Sequence, residues 1–388
     1  MSITASKWPT AKVGEVCDLF SGFAWRSESF NQTGDGLPII RIQNVDTGDA
    51  NDFVYWDQAY DPKFVIRSGD VLLTLSGSFR TCIWSGPDAL LNQRIVKLTP
   101  HEQLDRQWFL YLLQTLLKQI EYMGRHALVN NVSIADLRQI SIPLPPLSEQ
   151  KRIAGILDQA DGLRRKRQQA LQLAEDFPSN LFYEMFGDPI HDPREWPVVC
   201  LEHICTRITD SVHAKPTYTD AGVPFISVKD ITTGKLTFDD CKFIAEEDHR
   251  KYTRRCRPEL MDILYTKVGA TYGRPALVDT KREFSIYVSV ALIKPNSKLV
   301  DPTFLHEAMA SKEVKRQADR SVKGAGVPDL HLVEIRSFKL PLPPMQVQRD
   351  FVKQTEKIHG IQERMRSNLK ETENLFNSLV QRAFRGDL

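Results

Sequence analysis

The stretch PLPPLSEQ at residues 143–150 occurs a second time, slightly altered, as PLPPMQVQ at residues 341–348. At this fixed offset of 198 residues, every apolar position just before the first stretch meets an apolar position before the second. The aligned positions are Val132, Ile134, Leu137, Ile140 and Ile142 with Leu330, Leu332, Ile335, Phe338 and Leu340. Self-similarity over so long a period predicts two copies of one domain-sized unit.

The match continues on both sides of the proline-rich stretches. Downstream it keeps the same offset, so that Gln150 meets Gln348 and Phe186 meets Phe384. Upstream the offset drifts, as surface loops of different length would cause. The upstream pairs are WPTAKVGEVC (8–17) with WPVVCLEHIC (196–205), GLPIIRIQNV (36–45) with GVPFISVKDI (222–231), and GDVLLTLSGS (69–78) with MDILYTKVGA (261–270).

The composition is that of a globular protein. The 388 residues are 41% hydrophobic and 26% charged, with a mean hydropathy of −0.33, which predicts two or three domains. No run approaches the roughly 20 apolar residues that span a bilayer, and the start MSITASKWPT is unlike a signal peptide. We therefore expect a cytoplasmic protein. Six cysteines without a CxxC pair predict free thiols and no metal site.

Each copy has two parts. The first alternates short β-branched runs with Gly, Asp, Asn and Pro, which indicates strands and turns. It also contains one segment with helical spacing, at 106–123 and again at 302–318. The second part is a long helix. The predicted fold class is thus α+β, with two similar mixed α/β domains separated by two long helices. The predicted segments are 1–146 and 187–343 for the globular domains, and 147–186 and 344–388 for the helices.

The long helices carry a heptad seam. The predicted seam residues are Ile153, Leu157, Ala160, Leu171, Leu181, Phe351, Ile358, Met365, Leu369, Phe376 and Leu379. Because both helices share one seam in one register, we expect them to pair antiparallel as a coiled coil, giving a pseudo-twofold molecule. About 37 residues would span roughly 55 Å. Pro178 should interrupt the first helix near its end. From the heptads alone, a coiled-coil dimerisation stalk is equally well predicted.

The order of these parts carries a resemblance. The segments ISIPLPPLSEQKRIAGILDQAD (140–161) and FKLPLPPMQVQRDFVKQTEKIH (338–359), with LFYEMFGDP (181–189) and LVQRAFRGDL (379–388), resemble the conserved regions of the specificity (S) subunit of type I restriction-modification enzymes. One departure is Val347, where the first copy has Glu149. The resemblance covers essentially the whole chain. It implies two target recognition domains, each reading one half of a bipartite site in double-stranded DNA, and helices that set the gap and dock methyltransferase (M) subunits.

The same resemblance implies the partners and cofactors. Two methyltransferase subunits would bring S-adenosylmethionine, and restriction or motor (R) subunits would bring ATP and Mg²⁺. This chain itself would be non-catalytic, since it lacks a GxxxxGK[ST] loop, a dinucleotide fingerprint and the Asn/Asp-Pro-Pro-aromatic tetrapeptide of amino-methyltransferases. Two alternatives stay open. One is a specificity subunit of a related system whose partner fuses methyltransferase and nuclease, and the other is a coiled-coil scaffold that binds only protein.

The charge distribution predicts weak binding to DNA by this chain alone. Residues 1–146 contain 13 Lys and Arg against 15 Asp and Glu, and residues 187–343 contain 24 against 22. Non-specific affinity grows with the number of phosphates neutralised, so basic partners are needed to hold the duplex. The cluster RRKR (164–167) could contact phosphates or a partner, but a solvated helix face is the simpler interpretation.

Base reading requires paired donors and acceptors, such as Arg for guanine and Asn or Gln for adenine. The first-domain candidates are Arg26, Arg41, Gln43, Asn44, Ser76, Ser78, Arg80, Asn92, Gln93, Arg94, Asn130 and Asn131. The second-domain candidates are His213, Lys215, Ser227, Lys229, Lys267, Tyr272, Arg274, Ser289 and Lys323. Since the apolar frame is shared while these residues differ, the two domains should read different half-sites, roughly one helical turn or about 34 Å apart.

Overall fold

The computed structural model describes residues 7–47, 52–76, 79–125, 132–211, 216–322 and 327–388. The chain divides into two compact units. The first unit comprises residues 1–168 and 367–388, and the second comprises residues 169–366. Each unit therefore holds one globular part and a portion of both long helical segments.

The first unit is built on two four-stranded sheets. Its strands are β1 (Thr10–Lys12), β2 (Cys17–Ser21), β3 (Leu37–Ile40), β4 (Val54–Trp56), β5 (Val65–Ile66), β6 (Val71–Thr74), β7 (Thr81–Ile83), β8 (Ala89–Leu91), β9 (Ile95–Pro100) and β10 (Ser141–Pro143). Its helices are α1 (Val13–Val16), α2 (Ile42–Thr47), α3 (Arg106–Arg125), α4 (Ile134–Gln139) and the start of α5 (Leu147–Glu175). One sheet has the order β2-β9-β6-β7 and is antiparallel; the other has the order β4-β3-β8-β5, with β3 and β8 parallel.

The second unit repeats this topology. Its strands are β11 (Gly187–Asp188), β12 (Asp192–Pro193), β13 (Val198–Cys200), β14 (Cys205–Asp210), β15 (Tyr218–Thr219), β16 (Val223–Ile226), β17 (Lys242–Ile244), β18 (Ile263–Thr266), β19 (Pro275–Leu277), β20 (Ser285–Ile286), β21 (Val290–Pro295) and β22 (Lys339–Pro341). Its helices are α6 (Phe177–Phe186), α7 (Glu246–Thr253), α8 (Pro302–Ala310), α9 (Lys312–Ser321), α10 (Leu332–Arg336) and the start of α11 (Met345–Arg385).

The strand orders show how far the repeat extends. The sheet β14-β21-β18-β19 matches β2-β9-β6-β7, and β16 pairs parallel with β20 as β3 does with β8. The pairs β1–β10 and β13–β22 each join the start of a globular part to its proline-rich stretch. The second sheets differ at one edge, because β5 lies beside β8 whereas β15 lies beside β17.

Each unit has its own core. In the first unit, α3 buries Trp108, Leu112 and Leu116 on one face, and the Trp108 ring lies 5.6 Å from that of Phe384 near the end of α11. In the second unit, four buried phenylalanines form one group: Phe182, Phe186, Phe304 and Phe351. Full burial of such side chains contributes about 1.5–3 kcal/mol each. Because each core includes residues of both long helical segments, it joins these segments to the globular part of its unit.

A buried glutamine explains the repeated end of the proline-rich stretch. The Gln150 side chain accepts a hydrogen bond from Asp105 N at 2.7 Å, and donates to Gln103 O at 2.9 Å and Pro145 O at 2.8 Å. Gln348 makes the same three contacts with Asp301 N, Leu299 O and Pro343 O, at 2.8, 3.2 and 2.8 Å. An amide supplies both the acceptor and the two donors that this position requires. The glutamine therefore fixes the start of each long helix to its globular part.

The long helices pair antiparallel within each unit. In the first unit, the Arg152 side chain donates to Leu388 O at 2.9 Å, and Arg167 donates to Asn368 O at 2.9 Å. In the second unit, the Gln362 amide donates to Ala174 O at 2.7 Å. Higher numbers on one helix meet lower numbers on the other, which is the antiparallel order. The predicted fold, two similar mixed domains with two long antiparallel helices, is confirmed.

The predicted seam residues lie on the least exposed side of these helices. Ile153, Leu157 and Phe351 are buried; Ala160, Leu171, Leu181, Ile358, Met365, Leu369, Phe376 and Leu379 are half-buried. The first helix is interrupted near Pro178, since α5 ends at Glu175 and α6 begins at Phe177 with proline in its first turn. Proline fits there because the first-turn N–H groups have no intrahelical acceptor.

Candidate nucleic-acid interface

The β6–β7 and β18–β19 hairpins are built alike. Thr74 N donates to Arg80 O at 2.9 Å, and Thr266 N donates to Arg274 O at 3.0 Å. The threonine hydroxyl in turn accepts from the backbone N–H of the same arginine, at 2.8 Å in the first hairpin and 2.9 Å in the second. An arginine, the side chain suited to guanine, therefore stands at the same place in both domains.

Three loops of the first unit meet beside the β6–β7 hairpin. Leu75 N donates to Arg94 O at 2.8 Å, and Val132 N donates to Leu75 O at 3.2 Å. Gln93 N donates to Phe23 O at 2.9 Å, which brings the segment after β2 to the same edge. The structure thus places three candidate base-reading residues, Asn92, Gln93 and Arg94, beside the β6–β7 hairpin, in which Arg80 immediately precedes β7.

The second unit reproduces this arrangement with other side chains. Lys267 N donates to Ser289 O at 3.0 Å, and Leu330 N donates to Lys267 O at 2.8 Å. These bonds match those of Leu75 atom for atom. Because the frame is held by backbone groups, the side chains on it can change without disturbing the loops.

The turn after β3 holds an arginine and a glutamine side by side. Asn44 Oδ1 accepts from Arg41 N at 2.8 Å and closes the turn. The Arg41 guanidinium donates to Asp52 O at 2.7 Å and lies 3.2 Å from the Asp52 carboxylate, which also accepts from the Gln43 amide at 3.0 Å. Asp52 therefore orients both side chains, and a base would have to compete with it for their donors.

The equivalent turn after β16 has the same closure and different chemistry. Asp230 accepts from Ser227 N at 2.8 Å and from the Ser227 hydroxyl at 2.9 Å. Lys229 takes the place of Gln43 and lies 2.8 Å from the Asp240 carboxylate. Their hydrogen bond raises the pKa of Lys229 and lowers the pKa of Asp240.

Arg26, Gln93 and Arg94 are exposed. Their side chains have no hydrogen bond or ion pair within the described ranges. Asn92, beside them, is half-buried. An unpaired guanidinium or amide at a loop edge costs least to transfer to a base, so these residues are the candidates best placed for direct contact.

Three of the candidate base-reading residues, Asn44, Ser76 and Lys267, are buried. The Asn44 side-chain oxygen accepts a hydrogen bond from Arg41 N within the turn. Lys267 Nζ lies 3.3 Å from the buried Asp210 carboxylate. Ser76 is enclosed at the end of β6. A polar residue in a loop can serve the fold itself, which sequence position alone does not reveal.

Tyr272 is anchored sideways. Its hydroxyl donates to Asp319 at 2.6 Å, and Lys315 Nζ lies 4.1 Å from its ring centre. The bond to Asp319, together with burial, raises the pKa of Tyr272. Arg274 donates to Thr232 O. Both side chains brace the hairpin, and Ser289 is half-buried beside it. The remaining candidates, Ser78, Asn130, Asn131, His213, Lys215 and Lys323, lie outside the described residues.

Sequence reasoning missed the polar links between long helix and globular part. In the first unit, Tyr111 OH donates to Asp158 at 2.7 Å. In the second, buried Glu307 lies 3.0 Å from His359. Burial alone would raise the pKa of Glu307, but hydrogen bonds from His306 and His359 hold it at about 2, and the bond to Glu307 raises the pKa of His359. A carboxylate in the apolar run of α8 was the available signal.

The described ranges contain no group of three or more His, Cys, Asp or Glu that could hold a metal ion. The same ranges contain no helix long and apolar enough to cross a membrane.

The comparisons with known proteins agree on one family. The model of the type I restriction modification DNA specificity domain matches residues 5–173 and 193–370. The chain therefore belongs to this family, the specificity subunits of type I restriction-modification enzymes.

The relatives match nearly the whole chain. The EcoBI specificity subunit of Escherichia coli is 27% identical, covering 98% of this chain and 86% of that protein. The EcoKI specificity subunit of E. coli K12 is 22% identical, covering 98% and 89%. The S subunit structure from M. genitalium is 14% identical, covers 98% of this chain and 96% of its own, and has a TM-score of 0.55. A chain from a structure of type I R-M complex assembly and conformational transition is 19% identical, covers 98% of each chain and has a TM-score of 0.61. These structures share the fold.

Proposed function

We propose that this chain is the non-catalytic DNA-recognition subunit of a type I complex, in which each globular domain reads one half of a bipartite site. The long helices set the gap between the halves and dock methyltransferase subunits. S-adenosylmethionine, ATP and Mg²⁺ belong to the partner subunits.

One observation carries this proposal. The same backbone bonds position the hairpin and turn in both domains, while the side chains on them change from Gln43 to Lys229 and from Arg94 to Ser289. A protein-binding scaffold has no need to vary chemistry on an unvarying frame. A reader of two different half-sites needs both features, since base contacts specify sequence while the frame sets position.

The helices are suited to a spacer because each one is fixed to a globular part at its start. Gln150 and Gln348 make three buried hydrogen bonds each at these junctions. A rigid junction transmits helix length into the spacing of the readers. The relation to docking is drawn from the family alone.

The first test is adenine methylation across the genome of a host that expresses this chain with its neighbouring methyltransferase subunit, compared with the methyltransferase alone. We expect a split motif only when both are present. Substituting Arg41, Gln43, Arg80 and Arg94 together should change or abolish one half of that motif. An unchanged motif in this variant, with the complex assembled, would favour the protein-binding scaffold.

A second test addresses the spacer. One heptad inserted after Gln168 and another after Arg366 keeps the seam register and adds about 10 Å, or roughly three base pairs. The gap in the motif should widen by that amount while both halves keep their bases. Altered half-site bases at an unchanged gap would contradict the role of the helices as a spacer.

A further inference from the structure

An aromatic ring is exposed beside the loops of the first domain that hold its candidate base-reading residues. Phe23 follows β2 and is 48% exposed. A single exposed apolar residue is common on protein surfaces and needs no explanation by itself. Phe23 differs because the fold fixes both its position beside these loops and the orientation of its ring.

Backbone hydrogen bonds tie Phe23 to the segment after β8. Phe23 N donates to Leu91 O at 3.0 Å, and Phe23 O accepts from Gln93 N at 2.9 Å. These bonds form a parallel bridge between Phe23 and Asn92. Residues paired in this way extend their side chains to the same face. The exposed part of the ring therefore lies at the edge formed by residues 92–94.

Hydrogen-bond donors flank Phe23 on both of the bridged segments. Arg26 lies three residues after Phe23, and Gln93 and Arg94 directly follow the bridged Asn92. The side chains of Arg26, Gln93 and Arg94 are exposed, and none has a hydrogen bond or ion pair within the described ranges. This edge therefore combines one apolar surface with donors that suit the acceptors of base edges.

Other aromatic rings hold Phe23 in place. The centre of its ring lies 4.9 Å from that of Trp25 and 5.3 Å from that of Phe64. Trp25 is fixed in turn, since its indole N–H donates to Leu91 O at 3.0 Å and its ring centre lies 5.1 Å from that of Trp56. A ring held in this way has little rotamer freedom left to lose on binding, which favours the contact.

The same ring contacts distinguish two ways in which an aromatic side chain can serve on DNA. An inserting wedge enters between two base pairs and unstacks them, so its ring must stand free of its own protein. The Phe23 ring is packed against two others and is only partly open. Such a ring suits contact with an apolar group on a base edge, and the major groove presents one, the 5-methyl group of thymine.

We propose that Phe23 recognises a thymine in the half-site of the first domain by contact with its 5-methyl group. The contact discriminates against cytosine, which lacks this group and presents an amino donor instead. The inference rests on the proposed function and assigns one further specificity-determining residue within it.

The decisive experiment removes the methyl group from the DNA and leaves the protein unchanged. Each thymine of the split motif is replaced in turn by deoxyuridine, and kcat/KM for methylation is measured with the full chain in complex with its methyltransferase subunits. At one thymine of the half-site that the first domain reads, the replacement should lower kcat/KM roughly fourfold, the effect expected for one buried methyl group.

Substitution of Phe23 attributes this effect to the ring. The Phe23→Ala complex should methylate the thymine duplex roughly fourfold less efficiently and should no longer distinguish it from the deoxyuridine duplex. Phe23→Leu keeps an apolar group at this edge and should retain most of the discrimination, which separates the contact from a folding defect. Tyr60→Ala is the matched control, because Tyr60 is a 40% exposed aromatic residue of the same domain. It should discriminate as the wild type does.

Three outcomes would overturn the assignment. Discrimination that persists in Phe23→Ala would assign the methyl group to another residue. Equal kcat/KM of the wild type on all thymine and deoxyuridine duplexes would show that no methyl group is read. A loss in Phe23→Ala that is the same on both duplexes would assign the ring to packing or to unstacking of the DNA. In each case the split motif remains and the proposed function stands, whereas absence of any split motif would contradict the proposed function itself.

Discussion

The hairpin edges of the two globular domains share their backbone and differ in what they bury. Leu75 and Lys267 make the same backbone hydrogen bonds in the two units. Leu75 lies against an apolar core, whereas Lys267 reaches a buried carboxylate on β14, that of Asp210. The strand register places Ser21 where the second unit has Asp210. The same fold therefore packs an apolar side chain at this position in the first unit and an ion pair in the second.

The frame common to both units is held by backbone hydrogen bonds and by two buried glutamines, whereas other side chains differ between the units. Gln150 and Gln348 keep the same three partners. The polar links farther along the helices do not, since Tyr111–Asp158 in one unit becomes Glu307–His359 in the other. In these links both partners differ between the two units.

The largest effect is expected from Lys267→Leu, which introduces the leucine of the first unit but keeps the buried Asp210 of the second. It leaves Asp210 buried with Arg255, 3.6 Å away, as its one remaining ion-pair partner among the described residues, and should destabilise the second unit by about 3–5 kcal/mol. The free energy of unfolding, obtained from urea denaturation monitored by hydrogen exchange at β18 and β21, measures this loss. Adding Asp210→Ser should restore most of the loss, and Lys281→Leu, at an exposed loop residue, should cost little. A double variant no better than the single one would break the comparison.

Removal of the junction glutamines should cost somewhat less. Gln150→Leu and Gln348→Leu each abolish three buried hydrogen bonds and leave backbone groups without partners, for an expected loss of about 2–3 kcal/mol. Because the partners are the same, the two losses should agree, and unfolding of each unit followed by hydrogen exchange at α3 and α8 tests this. Gln346→Leu, exposed in the same turn as Gln348, is the control. Unequal losses would mean that the junctions are not equivalent.

A smaller and more local effect is expected from Arg94→Ala. If this free guanidinium reads a base, its loss should cost about 1–3 kcal/mol of discrimination at one position of one half-site, while the other half-site is read as before. Methylation rates on duplexes mutated in either half measure this. Arg67→Ala is the control, because Arg67 is exposed in the same domain and lies 3.7 Å from Asp88. Equal loss on both halves would assign Arg94 to phosphate contact.

The repeat, the fold class and the antiparallel helices could be predicted from sequence because burial forces apolar residues to recur wherever a core recurs. The roles of Asn44, Ser76 and Lys267 could not, since a polar side chain in a loop is equally compatible with solvent, base or interior. Gln150 shows the converse, for a glutamine at a helix start gives no sign that it is buried. The partner of each polar group decides its role, and partners distant in sequence become visible only in the fold.

The smallest expected effect is a difference in pH dependence between two polar links, Tyr111–Asp158 in the first unit and Glu307–His359 in the second. The pKa of His359 is raised above its unfolded value by Glu307, so its stabilisation is full below about pH 6.5 and is lost as pH rises through the folded pKa. His359 is partly exposed, which limits the loss to about 0.5 kcal/mol. The pKa of Glu307, at about 2, lies well below this window. Hydrogen exchange at α8 should therefore quicken between pH 6 and 8.5 relative to His359→Gln, after correction for intrinsic exchange. Burial raises the pKa of Tyr111, so its hydroxyl stays protonated and α3 should show no such change. An equal change at α3 would attribute the effect to something common to both units.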